Sequence, residues 1–181
     1  MIEEFEKQFQ ELQKKVNKIE KGTKDQLSMV VFSGDLDKQL AAMIIATGAT
    51  AMDTSVKMFF TFWATAALRD KNKSAKGKDF MSKMFGFMLP KGTSKLTLSK
   101  MNMCGMGTSM MKGLMKKKNV NSLEDLFKIA AELGVEINIC EMSMDLMGFK
   151  KEEMIDYPNL KYCGVGTYLA DASESKIQLF I

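Results

Sequence analysis

The chain contains no histidine, and this absence removes several classes of chemistry. Without imidazole there is no Cys–His or Ser–His nucleophile pair, no histidine metal ligand and no histidine acid–base group. Cysteine is scarce as well, and three residues, an odd number, do not form a disulfide framework. We interpret them as reduced thiols of a cytoplasmic protein. Any chemistry must therefore use cysteine, carboxylates, lysine, tyrosine or backbone dipoles.

Long apolar runs and an excess of one charge are also missing. No stretch reaches the roughly 18 to 20 uninterrupted apolar residues that a membrane span needs. The first 21 residues are rich in Glu, Lys and Gln and lack the apolar core of a signal peptide. The net charge is only +4, from 26 basic and 22 acidic residues that are scattered along the chain. We therefore expect no membrane span and no nucleic-acid partner.

An apolar stripe runs along the N-terminal segment. Apolar residues recur there at alternating spacings of three and four positions, with Glu, Lys and Gln between them: Ile2, Phe5, Phe9, Leu12, Val16 and Ile19. This pattern predicts an amphipathic helix that ends at Gly22. A helix of this length is marginal alone, so it should pack on its own domain or on a neighbouring subunit. We therefore divide the chain into a helix and linker, residues 1–24, and a domain, residues 25–181.

The rest of the chain alternates between strand and helix patterns. Buried or β-branched runs predict strands at residues 27–33, 54–62, 135–140 and 176–180, and helical patterns lie between them, including one at residues 36–52 and one at residues 162–173. Strands joined by long helices pair in parallel. The prediction is an α/β fold, an open, mostly parallel sheet with helices on both faces.

Two cysteines occupy positions that favour chemistry. Cys140 follows the third predicted strand, and ligands of open parallel sheets gather beyond the carboxyl ends of the strands. Cys104 precedes Gly105, Gly107 and a predicted helix N-terminus, where backbone N–H groups stabilise a thiolate. The alternatives are a buried small apolar residue for Cys140 and an incidental cysteine in a turn for Cys104. Cys163, near the start of the predicted late helix, ranks third.

Metal and phosphate sites are not expected. Three scattered cysteines without histidine match no zinc pattern. The glycines form neither a dinucleotide-binding fingerprint nor a Walker motif. We therefore expect no metal and no other cofactor.

Several segments are similar to one known family. The chain resembles the two-cysteine branch of the DsrE/DsrF/DsrH-like superfamily in Val31-Phe32-Ser33-Gly34-Asp35-Leu36-Asp37, in residues 58–63, in Met103-Cys104-Gly105, in Cys140-Glu-Met-Ser-Met-Asp145-Leu-Met-Gly148 and in residues 164–169. The resemblance covers residues 27–181. It implies a flavodoxin-like three-layer fold, assembly into homo- or hetero-oligomers, and a role in sulfur relay through a cysteine persulfide. Branch members are often labelled peroxiredoxin-like, which nothing in this sequence supports.

The leading hypothesis is a sulfur carrier or sulfurtransferase. Cys104 would take up sulfur as a persulfide and Cys140 would assist, with Gly105, Gly107 and Asp145 binding the substrate. The expected partners are sulfur-donor and sulfur-acceptor proteins or small thiols, together with further copies of the chain. Two alternatives stay open: a dithiol redox protein, and a non-enzymatic oligomeric binding module that uses its 18 methionines as an adaptable surface.

Overall fold

The computed structural model describes residues 2–181, without the side chains of residues 2, 3 and 17–21. The strands are β1 (Lys24–Val31), β2 (Ser55–Phe60), β3 (Glu136–Cys140), β4 (Leu160–Cys163) and β5 (Ser175–Phe180). The α-helices are α1 (Ile2–Gly22), α2 (Leu36–Thr50), α3 (Phe80–Met88), α4 (Met106–Lys117), α5 (Leu123–Glu132), α6 (Glu141–Met147) and α7 (Val165–Ser173). Short 3₁₀ turns lie at Phe62–Leu68, Thr93–Lys95, Met103–Gly105 and Lys151–Glu153.

The five strands form one sheet in the order β4-β3-β2-β1-β5, and every neighbouring pair is parallel. All five strands therefore end at the same edge, which we call the carboxyl edge. In open parallel sheets this edge is where functional groups collect.

One face of the sheet carries the apolar core. Alternate residues of the three central strands point to this face and are fully or almost fully buried: Leu27, Met29, Val31, Val56, Met58, Phe60, Ile137 and Ile139. Helices α2 and α5 cover them, and the rings of Phe60 and Phe127 lie 6.2 Å apart. Burial of this apolar surface is the main stabilising contribution to the fold.

The opposite face is more polar and is covered by α7. The ring of Tyr168 stacks on Phe59 at 5.5 Å. Lys57 Nζ lies 2.5 Å from Asp171 Oδ1, and the amide of Gln26 donates to the carbonyl of Asp171 at 3.2 Å. We call this the α7 face. It is the side of the sheet on which Cys140 lies, because Ile139 points to the apolar core and neighbouring strand residues alternate.

The observed fold confirms the predicted α/β architecture, with one correction. Residues 162–173 were expected to form a single helix, yet Leu160–Cys163 is strand β4 and the helix begins only at Val165. The sheet therefore has five strands where the sequence predicts four. Strand β1 begins at Lys24, so only Thr23 lies between α1 and β1.

Helix α1 confirms the predicted N-terminal helix, and the described part of its apolar stripe faces solvent. Its described apolar side chains are exposed: Phe5 by 72%, Phe9 by 54%, Leu12 by 62% and Val16 by 46%. Ile2 and Ile19 lie outside the described side chains. Within the part of the chain that the structure describes, no helix is long and apolar enough to cross a membrane.

Candidate functional site

Cys104 lies in an exposed loop that leads into α4, residues 101–105, which we call the Cys104 loop. Three of its non-glycine residues have left-handed backbone conformations, with φ of 56° at Met101, 45° at Met103 and 54° at Cys104. A left-handed conformation costs a residue with a Cβ roughly 1 to 2 kcal/mol. Strain of this kind is common at functional sites, where the surrounding structure holds it in place.

Asn102 holds this loop in place. Its carbonyl oxygen accepts hydrogen bonds from the N–H of Gly105 at 2.8 Å and of Gly107 at 3.0 Å. Its side-chain oxygen accepts from the Thr108 hydroxyl at 2.8 Å, and that hydroxyl accepts from the N–H of Leu98 at 3.0 Å. The N–H groups of Gly105 and Gly107 are therefore engaged, and in this conformation they do not offer the sulfur-binding site expected of them.

Gly107 has a clear steric role instead. A Cβ built at this position would lie 1.8 Å from the carbonyl oxygen of Met101. No side chain fits there without a shift of the backbone. The glycine thus lets the Cys104 loop fold closely over the first turn of α4.

Cys140 ends β3 at the carboxyl edge and is only 3% exposed. The hydroxyl of Ser143, in the helix that follows, is hydrogen-bonded to the Thr61 hydroxyl at 2.9 Å and accepts from the N–H of Phe62 at 3.0 Å. These bonds fasten α6 to the end of β2. They fix the position of the strand end that carries Cys140.

Cys163 is the partner of Cys140 across the sheet. In the parallel ladder between β3 and β4, Asn138 is opposite Lys161 and Cys140 is opposite Cys163. Because residues in register share a face, both thiols lie on the α7 face. Neighbouring strands are about 4.7 to 4.9 Å apart, so the two cysteines are close neighbours at the carboxyl edge.

The surroundings of Cys163 favour its protonated thiol. Burial raises the pKa of the Cys163 thiol above its ordinary value, and a hydrogen bond with Thr167 opposes this shift. The nearby Cys140, Asp171 and Glu141 raise the pKa further. Cys163 is partly exposed, more so than Cys140.

The structure therefore places Cys140 opposite Cys163 across the sheet. All three cysteines are free, and among the described residues no hydrogen bond or disulfide joins Cys104 to Cys140. Asp145 lies exposed on α6, one turn beyond Glu141, whose carboxylate pairs with Lys151 Nζ at 2.9 Å.

The described residues contain no group of three or more Cys, Asp or Glu side chains that could hold a metal ion.

The sequence interpretation missed the position of Cys163 because it missed β4. Strand β4 has only four residues. The two glycines at positions 164 and 166 directly follow it, so the sequence interpretation placed the whole segment in the helix. One signal was present: Pro158-Asn159 is a turn-forming pair directly before the strand. It separates the segment from the helical turns upstream.

Comparisons with known proteins agree with this fold. The chain is 49% identical over 154 residues to the uncharacterized protein YrkE of Bacillus subtilis (strain 168), an alignment that covers 85% of this chain and 95% of the relative. It is 33% identical over 162 residues to the sulfur carrier protein DsrE2 of Allochromatium vinosum, with 86% and 97% covered.

The fold is similar to that of the ychN protein from E. coli, whose crystal structure matches with a TM-score of 0.50 at 9% identity, covering 86% of this chain and 98% of that one. The family model of the DsrE/DsrF/DrsH-like family matches residues 23–180, the whole sheet with its helices. The chain therefore belongs to the DsrE/DsrF/DrsH-like family.

Proposed function

We propose that this protein is a sulfur carrier or sulfurtransferase that takes up sulfur as a persulfide on Cys104. The observation that carries the proposal is the exposure of the Cys104 thiol on a loop before α4, because an acceptor thiol must be reached by its donor. The identity of 33% to a relative named a sulfur carrier supports the same role.

The first step is an exchange between a thiolate and a persulfide. The Cys104 thiolate attacks the outer sulfur of a donor R–S–S–H. A bond forms between Cys104 Sγ and that sulfur, the S–S bond of the donor breaks, and the donor leaves as R–S⁻. The sulfur atom then resides on the protein as Cys104–S–S–H, with no net oxidation.

Cys140 takes the sulfur in a second exchange of the same kind. Because Cys140 is buried while Cys104 is exposed on its loop, we expect the Cys104 loop to move when the two thiols exchange sulfur. Three strained residues in that loop support such movement, since the strain lowers the free energy that separates this conformation from others. Once on Cys140, the sulfur is shielded from solvent.

Intact-protein mass spectrometry after incubation with thiosulfate or polysulfide tests the proposal. We expect adducts in steps of about 32 Da, the mass of one sulfur atom, on the wild type and not on Cys104→Ser. Cys163→Ser is the matched control and should keep its first adduct. A Cys104→Ser variant that loads sulfur with normal yield would contradict the proposal. Loss of two hydrogens without added sulfur would favour a dithiol redox protein instead.

We further propose that α1 pairs with α1 of a second copy of this chain. Its exposed apolar stripe has the spacing of a coiled-coil seam. Acidic residues dominate its first half, at positions 3, 4, 6 and 11, and lysines its second half, at positions 14, 15, 18 and 21. An antiparallel pair would bring the acidic half of each helix against the basic half of the other, which favours that orientation.

Light scattering of the full chain measures this assembly. Leu12→Asp places a charge in the apolar stripe and should lower the molar mass in solution. Gln10→Asp adds the same charge outside the stripe and should leave the mass unchanged. An unchanged mass for Leu12→Asp would contradict a role of α1 in assembly.

A further inference from the structure

We propose that Cys163 is a third sulfur-bearing thiol, which receives a sulfur atom from a persulfide on Cys140 and presents it at the carboxyl edge. The proposal rests on the proposed function, since it takes Cys140 as a sulfur-bearing residue. What carries it is the register of β3 and β4, which sets Cys140 directly opposite Cys163 on the α7 face.

The exchange balances without an oxidant or a reductant. The sulfur of Cys163 attacks the outer sulfur of Cys140–S–S–H, a new S–S bond forms, and the bond between that sulfur and Cys140 Sγ breaks. The proton of the Cys163 thiol ends on Cys140. The products are a Cys140 thiol and Cys163–S–S–H, so one sulfur atom has moved and nothing else has changed.

The spacing of the strands brings the two thiols within reach of one another. Neighbouring strands lie about 4.7 to 4.9 Å apart, which is within the Cα separation of about 4.4 to 6.8 Å that two directly bonded cysteines span. The Sγ of Cys163 can therefore approach a sulfur atom that is carried on Cys140.

The difference in solvent exposure between Cys140 and Cys163 gives the sulfur transfer a direction, from the buried thiol to the more exposed one. Cys140 is 3% exposed, while Cys163 is partly exposed and is followed by exposed residues at the start of α7, with Val165 exposed by 59%. A sulfur atom on Cys140 is protected from solvent thiols, and one on Cys163 is within their reach. The pair thus connects a buried thiol to the protein surface.

The raised pKa of the Cys163 thiol slows its direct loading from solution. Burial raises the pKa of the Cys163 thiol, so at neutral pH the residue is mostly protonated and reacts slowly with reagents in solution. Cys140, held directly opposite, has the advantage of proximity over any dissolved donor. Transfer from Cys140 should therefore outcompete direct loading of Cys163.

The experiment locates the sulfur. Wild type, Cys140→Ser and Cys163→Ser are incubated with polysulfide, capped with iodoacetamide and mapped by peptide mass spectrometry. We expect a persulfide on Cys163 in the wild type. In Cys140→Ser the amount of persulfide on Cys163 should be lower by at least about tenfold, because Cys163 then loses its neighbouring donor. Cys163→Ser should accumulate the persulfide on Cys140.

Equal loading of Cys163 in wild type and Cys140→Ser would overturn the inference. So would a wild type with sulfur on Cys104 and Cys140 and none on Cys163, an outcome that leaves the proposed function intact. Sulfur that reaches Cys140 and Cys163 but never Cys104 would support the exchange and overturn Cys104 as the acceptor. Cys140→Ala, compared by thermal unfolding, separates loss of the thiol from loss of the fold.

Discussion

Two glycines in the same helix provide a sharp test of how the Cys104 loop is built. Replacement of glycine by alanine inside a helix favours the folded state by about 1 kcal/mol. Gly113 is exposed in α4 and has open space where a Cβ would lie, so Gly113→Ala should gain this full amount. We expect its Tm to rise by about 2 to 4 °C in a chain of this length.

Gly107→Ala should instead lower the stability of the folded protein. Its Cβ would lie 1.8 Å from the Met101 carbonyl oxygen, so the Cys104 loop must shift by more than an ångström. That shift breaks three hydrogen bonds to Asn102: those from the N–H groups of Gly105 and Gly107 to its carbonyl, and the one from Thr108 to its side chain. At about 1 kcal/mol for each hydrogen bond, their loss lowers the free energy of unfolding by about 3 kcal/mol. The gain in helix propensity offsets about 1 kcal/mol, so the net loss of stability is about 2 kcal/mol.

Thermal unfolding of both variants beside the wild type measures the difference. We expect Gly107→Ala to lower Tm by about 4 to 8 °C, and to change the rate at which iodoacetamide alkylates Cys104. Gly113→Ala should leave that rate unchanged. If Gly107→Ala raises Tm as much as Gly113→Ala does, the close contact between the loop and α4 does not exist, and our account of the loop is refuted.

Three further predictions concern single interactions. Ser122→Ala removes the N-cap of α5 and should lower the unfolding free energy by about 1 kcal/mol, measured in urea; an unchanged value contradicts the cap. Lys78→Met leaves the buried Glu153 carboxylate without its ion pair, at a cost of about 3 to 5 kcal/mol near neutral pH. Burial raises the pKa of Glu153, but its hydrogen bonds, led by the one from Lys78, bring it below the ordinary 4.5. The pair therefore contributes fully above pH 4.5 and is lost as pH falls through the lower pKa, so the variant and wild type should converge in acid; a constant difference would contradict the pairing. Thr167→Val removes a hydrogen bond that lowers the pKa of Cys163, so the pH midpoint of its alkylation should rise, and an unchanged midpoint would show that the hydroxyl does not contact the thiol.

The main elements of the fold follow from patterns that a single sequence displays. Strands β1 and β2 are rich in apolar and β-branched residues, and the helix between them is rich in strong helix formers such as Leu, Ala and Met, so their type is fixed locally. Strand β4 is different. It has only four residues, and its place in the sheet depends on pairing with β3, a contact between distant parts of the chain.

The candidate site also has features that the sequence predicts and features that it does not. A cysteine at the end of β3 and a cysteine before α4 follow from the order of elements, and the predicted positions of Cys140 and Cys104 agree with the structure. The engagement of the Gly105 and Gly107 N–H groups could not be predicted. It arises because Met101 and Met103 adopt left-handed conformations, which methionine rarely does, and no sequence pattern indicates them.

The order in which the thiols acquire sulfur tests the central claim most directly. Wild-type protein is mixed with polysulfide, capped with iodoacetamide at successive times, and mapped for persulfides. Our account predicts that sulfur appears first on Cys104 and that it declines there as the persulfide on Cys140 rises. Sulfur that appears on Cys140 before Cys104, or at the same rate in Cys104→Ser as in wild type, would contradict the claim that Cys104 is the point of entry.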